Sequence, residues 1–162
     1  MEVLVLSREA AERYEPTGTE VCISISDPEA PPAQLSASFA AVLRLAFNDI
    51  DAAQTPEDVL FAVEHAAATV QFVTRWSHVD RVVVHCHAGV SRSPGVALGL
   101  CDLFGWPTEE LDRAYPYWNR WVRSVLTQQN IPSRPAHPTA APNTPAGTAG
   151  PTRRPAAPRS AR

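Results

Sequence analysis

Four short apolar runs, each five to seven residues long, mark the first ninety positions of the chain. "EVLVL" (2–6) has strand length and is followed by "SREAAERY" (7–14), a short helical stretch with Ser7 placed to cap it. "EVCISIS" (20–26) is rich in β-branched residues and predicts a second strand, broken by "DPEAPP" (27–32). "VLRLAF" (42–47) is a third run, ending at "NDID". "RVVVH" (81–85) is a fourth, unbroken as in a central strand buried on both faces. Between the last two, Thr55-Pro56-Glu57-Asp58 combines a capping Thr, a Pro at the first helical position and an acid three residues after the cap. Val59, Val63, Ala66, Val70 and Val73 recur at helical spacing, which predicts a helix from about Pro56 to Trp76.

After the fourth run the period stays helical. "SPGVALGLCDLF" (93–104) predicts a helix with Gly95 and Gly99 four apart for close packing and Gly105 as its stop. "PTEELDRA" begins another, and "YWNRWVRSVLTQQ" (117–129) predicts the last, with Tyr117, Trp118, Trp121, Val122 and Val125 as its core face. Strands alternating with helices predict an α/β fold: a single, mostly parallel central sheet flanked by helices.

Composition divides the chain in two. From Ser133 onward there is no Leu, Ile, Val, Phe, Tyr or Trp, so residues 133–162 are expected to form a disordered Pro/Ala/Arg-rich tail on a folded domain of residues 1–132. All 17 acids lie in the domain beside nine arginines, a formal charge of −8, whereas the tail carries five arginines and no acid. An acidic domain is a poor match to nucleic acid or an anionic membrane, so neither is expected as a partner. Three cysteines at irregular spacing do not make a disulfide framework, and no basic leader or long apolar span is visible. A reduced, cytoplasmic protein is the expectation. The pattern says nothing of oligomeric state.

The candidate chemistry lies in "HCHAGVSRS" (85–93), which joins the end of the fourth strand to a helix. A helix N-terminus offers unpaired N–H groups and positive potential, and a short loop curled over it can hold a tetrahedral dianion. Ala88, Gly89 and Val90 suit such a loop, two by being small and Gly89 by accepting dihedrals closed to other residues. Cys86 opens the loop, where a helix N-terminus and a nearby cation favour a thiolate. Arg92 has the planar fork for bidentate contact with phosphoryl oxygens, and Ser93 places a hydroxyl near the sulfur. His85 is expected to fix the loop from beneath, and His87 and Ser91 fall among its variable positions. Expulsion of an alkoxide or phenoxide also needs a general acid, for which Asp49 and Asp51, past the third strand, are candidates. Asp27 and Asp102 read as turn and surface residues.

"HCHAGVSRS" resembles the His-Cys-x5-Arg-Ser signature of the cysteine-dependent protein tyrosine phosphatases, in the Ala-Gly-x-Ser-Arg-Ser form of the dual-specificity and compact bacterial branch. The likeness extends from "VLRLAFNDID" to "PYWNRWV". It implies a phosphatase-type fold with the phosphate-binding loop between a central strand and a helix. It implies Cys86 as nucleophile, Arg92 as phosphate clamp, Ser93 as activator of the second step, and Asp49, which stands 37 residues before Cys86, as acid. It further implies that residues 87–92 bind the phosphate, that Asn119 braces the loop, and that no cofactor or metal takes part. The expected partner is a phosphorylated protein carrying phosphotyrosine, with phosphoserine and phosphothreonine as secondary substrates.

Other readings share the loop. A phosphoinositide or RNA 5′-triphosphate phosphatase generally needs more cationic groups than "HAGVS" supplies, and a rhodanese-like sulfurtransferase has no use for the acid. A phosphate-reading module without turnover is the rival outside enzymes. Adjacent His85, Cys86 and His87 do not have zinc-ligand spacing. Cys22 and Cys101 read as core residues, with a disulfide to an oxidised Cys86 as the functional alternative.

Overall fold

The four apolar runs form four parallel strands. In the computed structural model, which describes residues 1–131, they are β1 (Glu2–Ser7), β2 (Glu20–Ser26), β3 (Ala41–Ala46) and β4 (Arg81–Cys86). The expected tail, 133–162, lies outside the described residues. The sheet order is β1-β4-β2-β3, so β4 sits between two neighbours, and every residue after Arg81 in it is buried. That is why its apolar run is unbroken rather than alternating. The pairing aligns Ser7 with Cys86, Ser24 with His85, and Ser26 with Ala46, bringing the carboxyl ends of all four strands to one edge.

Five helices complete the domain: α1 (Arg8–Arg13), α2 (Val63–Arg75), α3 (Arg92–Phe104), α4 (Glu109–Ala114) and α5 (Arg120–Thr127). Ser7 caps α1 as expected, its hydroxyl accepting from the Ala10 N–H at 3.2 Å. One sheet face carries Val21, Ile23, Ile25, Val82 and Val84 against Ala66, Val70 and Val73 of α2, Val96 and Leu100 of α3, and Val122 and Leu126 of α5. The other face, with Cys22 and Val83, is covered by Phe39, Leu35 and Tyr14. The expected α/β architecture, one central sheet with flanking helices, is the observed one, and the sheet is wholly parallel.

Two helix boundaries depart from the pattern. The helix expected from Pro56 begins at Val63. Asp58 does accept from the Thr55 and Gln54 N–H groups, at 2.8 and 2.7 Å, but this closes a turn and no helix follows. Val59 instead exchanges two bonds with Asn48: its N–H donates to Asn48 Oδ1 and its carbonyl accepts the Asn48 N–H, both at 2.8 Å. Phe61 packs edge-on against Phe47, with ring centroids 4.9 Å apart. These tertiary contacts override the local capping signal and tie the two ends of segment 48–59 together. The helix then starts after Ala62, whose N–H donates to His65 Nδ1 at 3.0 Å.

The last helix begins at Arg120 instead of Tyr117. Asn119 is its cap, accepting from the Val122 N–H at 3.0 Å. Tyr117 therefore precedes the helix and is 83 % exposed, and Trp121 is also exposed; only Val122 and Val125 of the expected core face are buried.

Gly95 and Gly99 do permit close packing of α3 on α5. A Cβ on Gly95 would lie 2.7 Å from the Asn119 carbonyl oxygen, and one on Gly99 would lie 2.8 Å from Leu126 Cβ. Gly→Ala within an unobstructed helix stabilises by about 0.5–1 kcal/mol. Here overpacking of about 1–3 kcal/mol opposes it and wins, because the Gly95 obstacle is backbone. Gly95→Ala is expected to lower the thermal midpoint; an unchanged or raised midpoint would show that α5 moves away freely.

Candidate active site

The loop from Cys86 to Arg92 is seated on the carboxyl ends of the strands. Gly89 has φ +76°, and a Cβ there would meet Ser7 N at 2.7 Å and the Leu6 carbonyl carbon at 2.8 Å. Glycine is therefore required twice over, by dihedral and by space. The Arg8 N–H donates to the His87 carbonyl at 3.1 Å, fastening the loop to the start of α1. Among the described residues, the amides of Ala88, Val90, Ser91 and Arg92 donate to no protein acceptor. They stand at the N-terminus of α3, whose first turn carries no acid. Such a cluster of free N–H groups favours an anion.

The Cys86 sulfur is almost wholly buried and accepts two hydrogen bonds, from the Gly89 N–H at 3.3 Å and from Ser93 Oγ at 3.1 Å. Burial pushes the Cys22 and Cys101 thiols up to about 12 and about 11. Neither is placed to bridge to Cys86. Cys22 pairs with Val83, three residues along β4 and on the opposite sheet face, and Cys101 lies at the far end of α3, by Met1 and Val3.

Arg92 is 4 % exposed. One terminal nitrogen, Nη1, donates to Asp27 Oδ1 at 2.8 Å and to the Phe47 carbonyl at 2.7 Å, while buried Nε has no partner. The guanidinium is thus fixed along one edge and has an unsatisfied buried donor. Asp27, expected only as a turn residue, is the counter-charge of Arg92. Its signal was its place, immediately after β2, where side chains of a parallel sheet converge on the ligand edge.

His85 is buried near the end of β4, next to Cys86. Its Nδ1 is 3.4 Å from the Cys86 carbonyl, which only accepts, so Nδ1 carries the proton and Nε2 accepts from Ser24 Oγ at 2.9 Å. His87 and Val90 are exposed on the rim, and Val90 is 53 % accessible.

Asp49 and Asp51 are both exposed, but only Asp49 is joined to the loop. Its Oδ1 accepts from Ser91 Oγ at 2.7 Å and from Asn119 Nδ2 at 2.9 Å. Asp51 takes no hydrogen bond among the described residues. A groove of about 510 Å³ runs from Ser91 past Asp49 and Asp51 to Tyr117 and Trp118. It reaches the loop at Ser91 and not at the enclosed sulfur. Trp118 is braced from behind by the Arg123 guanidinium, 4.7 Å from its ring centre, which is held in turn by Asp102 and Asp112. Asp102 is therefore a structural brace of the groove wall.

No known family model matches the sequence, and no curated protein does. Solved structures do. The crystal structure of human tyrosine phosphatase-like serine/threonine/tyrosine-interacting protein superposes with a TM-score of 0.55 at 18 % identity, over 77 % of this chain and 88 % of that one. The active form of Tk-PTP aligns with a TM-score of 0.48 at 17 % identity, over 78 % and 90 %. The first likeness shows the fold: this chain has the α/β fold of that tyrosine phosphatase-like protein.

Burial holds the His85 imidazole below the ordinary histidine range, and His65 likewise. Both resist protonation in the fold, whereas in the unfolded chain they take up a proton near pH 6.5. The unfolded state then binds more protons, so stability present above about pH 6.5 is lost as pH falls toward the lower folded value. Thermal midpoints recorded from pH 7.5 to 5 are expected to fall below pH 6.5. His85→Asn should show a shallower fall, the remainder belonging to His65; an identical slope would mean that His85 charges freely in the fold.

Proposed function

We propose that the protein hydrolyses phosphomonoesters, with phosphotyrosine in proteins as the principal substrate and phosphoserine and phosphothreonine as secondary ones. The observation that carries this reading is the surroundings of the Cys86 sulfur. It accepts from Gly89 and Ser93 in a loop whose Ala88, Val90, Ser91 and Arg92 amides donate to no protein acceptor among the described residues, and Arg92 adds a buried guanidinium with an unpartnered Nε. That is a nucleophile under an oxyanion cradle.

In the first step the Cys86 thiolate attacks phosphorus. The S–P bond forms, the bond from phosphorus to the tyrosyl oxygen breaks, and Asp49 gives that oxygen its proton. The loop amides and the free edge of Arg92 hold the equatorial oxygens while charge spreads over them. In the second step water attacks phosphorus and passes a proton to Asp49. The S–P bond breaks toward sulfur, where the Ser93 hydroxyl stabilises the departing thiolate, and inorganic phosphate is released. No residue in this cycle needs a cofactor. The aromatic wall of Tyr117 and Trp118 supports an aryl phosphate as the favoured ester. Three free cysteines and an acidic domain support a reducing, cytoplasmic setting; no helix among the described residues is long and apolar enough to cross a membrane.

A second reading, phosphate recognition without turnover, draws support from the name of the human neighbour, a phosphatase-like interacting protein. Cys86, Arg92 and Ser93 favour chemistry over it.

Steady-state assays separate the two. Cys86→Ser is expected to abolish hydrolysis of p-nitrophenyl phosphate and of a phosphotyrosine peptide while still binding the peptide. Wild-type protein that binds the peptide and hydrolyses neither would establish the recognition module. Arg92→Lys keeps charge but loses the fork, and is expected to lose roughly 10²–10³ in turnover; near-normal turnover would reduce Arg92 to a structural ion pair with Asp27. Asp49→Asn is expected to slow phosphotyrosine hydrolysis by roughly 10²–10⁴, and p-nitrophenyl phosphate far less, because its leaving group departs unprotonated. If Asp51→Asn shows that pattern instead, the acid is Asp51.

A further inference from the structure

Asp49 sits in segment 48–59, which is fastened at its ends by Asn48 and Val59 and is otherwise exposed around the carboxylate. An acid on such a segment needs something to aim it, since a misplacement of about 1 Å costs on the order of 10²-fold in rate. Resting on the reading above, we propose that Asn119 is the positioning residue for the general acid, acting together with Ser91.

The geometry of Asn119 carries this. Its amide oxygen accepts from the Val122 N–H at 3.0 Å, which caps α5 and fixes which end of the side chain is nitrogen. The amide nitrogen is then left to donate to Asp49 Oδ1 at 2.9 Å. Its backbone N–H donates to the Ser91 carbonyl at 3.0 Å, and the Ser91 hydroxyl donates to that same Oδ1 at 2.7 Å. Acid, phosphate loop and helix α5 are closed into one ring of bonds through a side chain that is only 9 % exposed. Both donors meet one carboxyl oxygen. Oδ2 takes no bond among the described residues and is the oxygen left to carry the transferable proton.

A helix cap alone does not require asparagine. Serine and aspartate cap as well, yet neither donates an amide N–H to a neighbouring carboxylate. Ser91 is equally telling: it occupies the cap position of α3 but makes no side-chain cap bond, its hydroxyl being given to Asp49.

The test uses the full chain and a pair of substrates that differ in leaving group. Asn119→Asp preserves the cap and the shape while replacing the donor by an anion beside Asp49. It is expected to slow phosphotyrosine-peptide hydrolysis by roughly 10–100-fold and p-nitrophenyl phosphate hydrolysis by much less. In the Asp49→Asn background the same substitution should add nothing to the leaving-group effect. Ser91→Ala, which leaves the α5 cap untouched, should show the same selectivity and supplies the test if Asn119→Asp fails to fold. Equal losses on both substrates, or losses fully additive with Asp49→Asn, would overturn the positioning role. An Asp49→Asn protein with no leaving-group selectivity would overturn the acid assignment itself, and the inference with it, which is a separable result.

Discussion

A buried positive charge organises this molecule. The Arg92 guanidinium is enclosed at the first turn of α3, where an unpaired charge would be strongly unfavourable. It is satisfied on one nitrogen by a carboxylate following β2 and a carbonyl following β3. Those two contacts hold the guanidinium through Nη1 and leave its buried Nε without a hydrogen-bond partner. A guanidinium held through one terminal nitrogen, with its Nε unpartnered, is suited to an ion with two oxygens in a plane.

The parallel register gives that charge its surroundings. Because all four strands run the same way, the end of β1 supports Gly89, the end of β2 supplies Asp27, the end of β3 supplies the Phe47 carbonyl and the approach to Asp49, and β4 delivers Cys86. The aromatic contact of Phe47 with Phe61, and the bond from Trp121 Nε1 to the Phe61 carbonyl at 2.8 Å, tie the base of the acid-bearing segment to α5. Helix α5 and its cap thus reach this region twice, from Trp121 to the Phe61 carbonyl and from Asn119 to Asp49. Close packing of α3 on α5 at Gly95 brings Asn119 against the first turn of α3.

What the sequence made legible was local. Strand runs, the Ser7 cap, the Gly105 stop and the strand–loop–helix setting of Cys86 follow from period and from single-residue preferences, and the structure has them. The start of α2 was misread because Thr55-Pro56-Glu57-Asp58 carries a sound capping pattern that Asn48, Phe47 and Trp121 outcompete from elsewhere in the chain. Tyr117 and Trp118 continue the helical spacing of α5 but stand before its cap, so they line a groove instead of filling a core. Asp27 was undervalued for the same reason: its partner is 65 residues away, and no short-range pattern connects an acid after one strand to an arginine after another. Asn119 looked like a loop brace. That it reaches the acid depends on where α5 docks, which only the packing reveals.

The most direct measurement of the central claim is chemical. Ser93→Ala should leave attack by Cys86 intact while slowing departure of the thiolate, so the intermediate accumulates. Acid quench of this protein during turnover of a phosphotyrosine peptide, followed by peptide mapping by mass spectrometry, is expected to place phosphate on the sulfur of Cys86 in a large fraction of the molecules. Continued turnover with no phosphate on Cys86 would contradict the account.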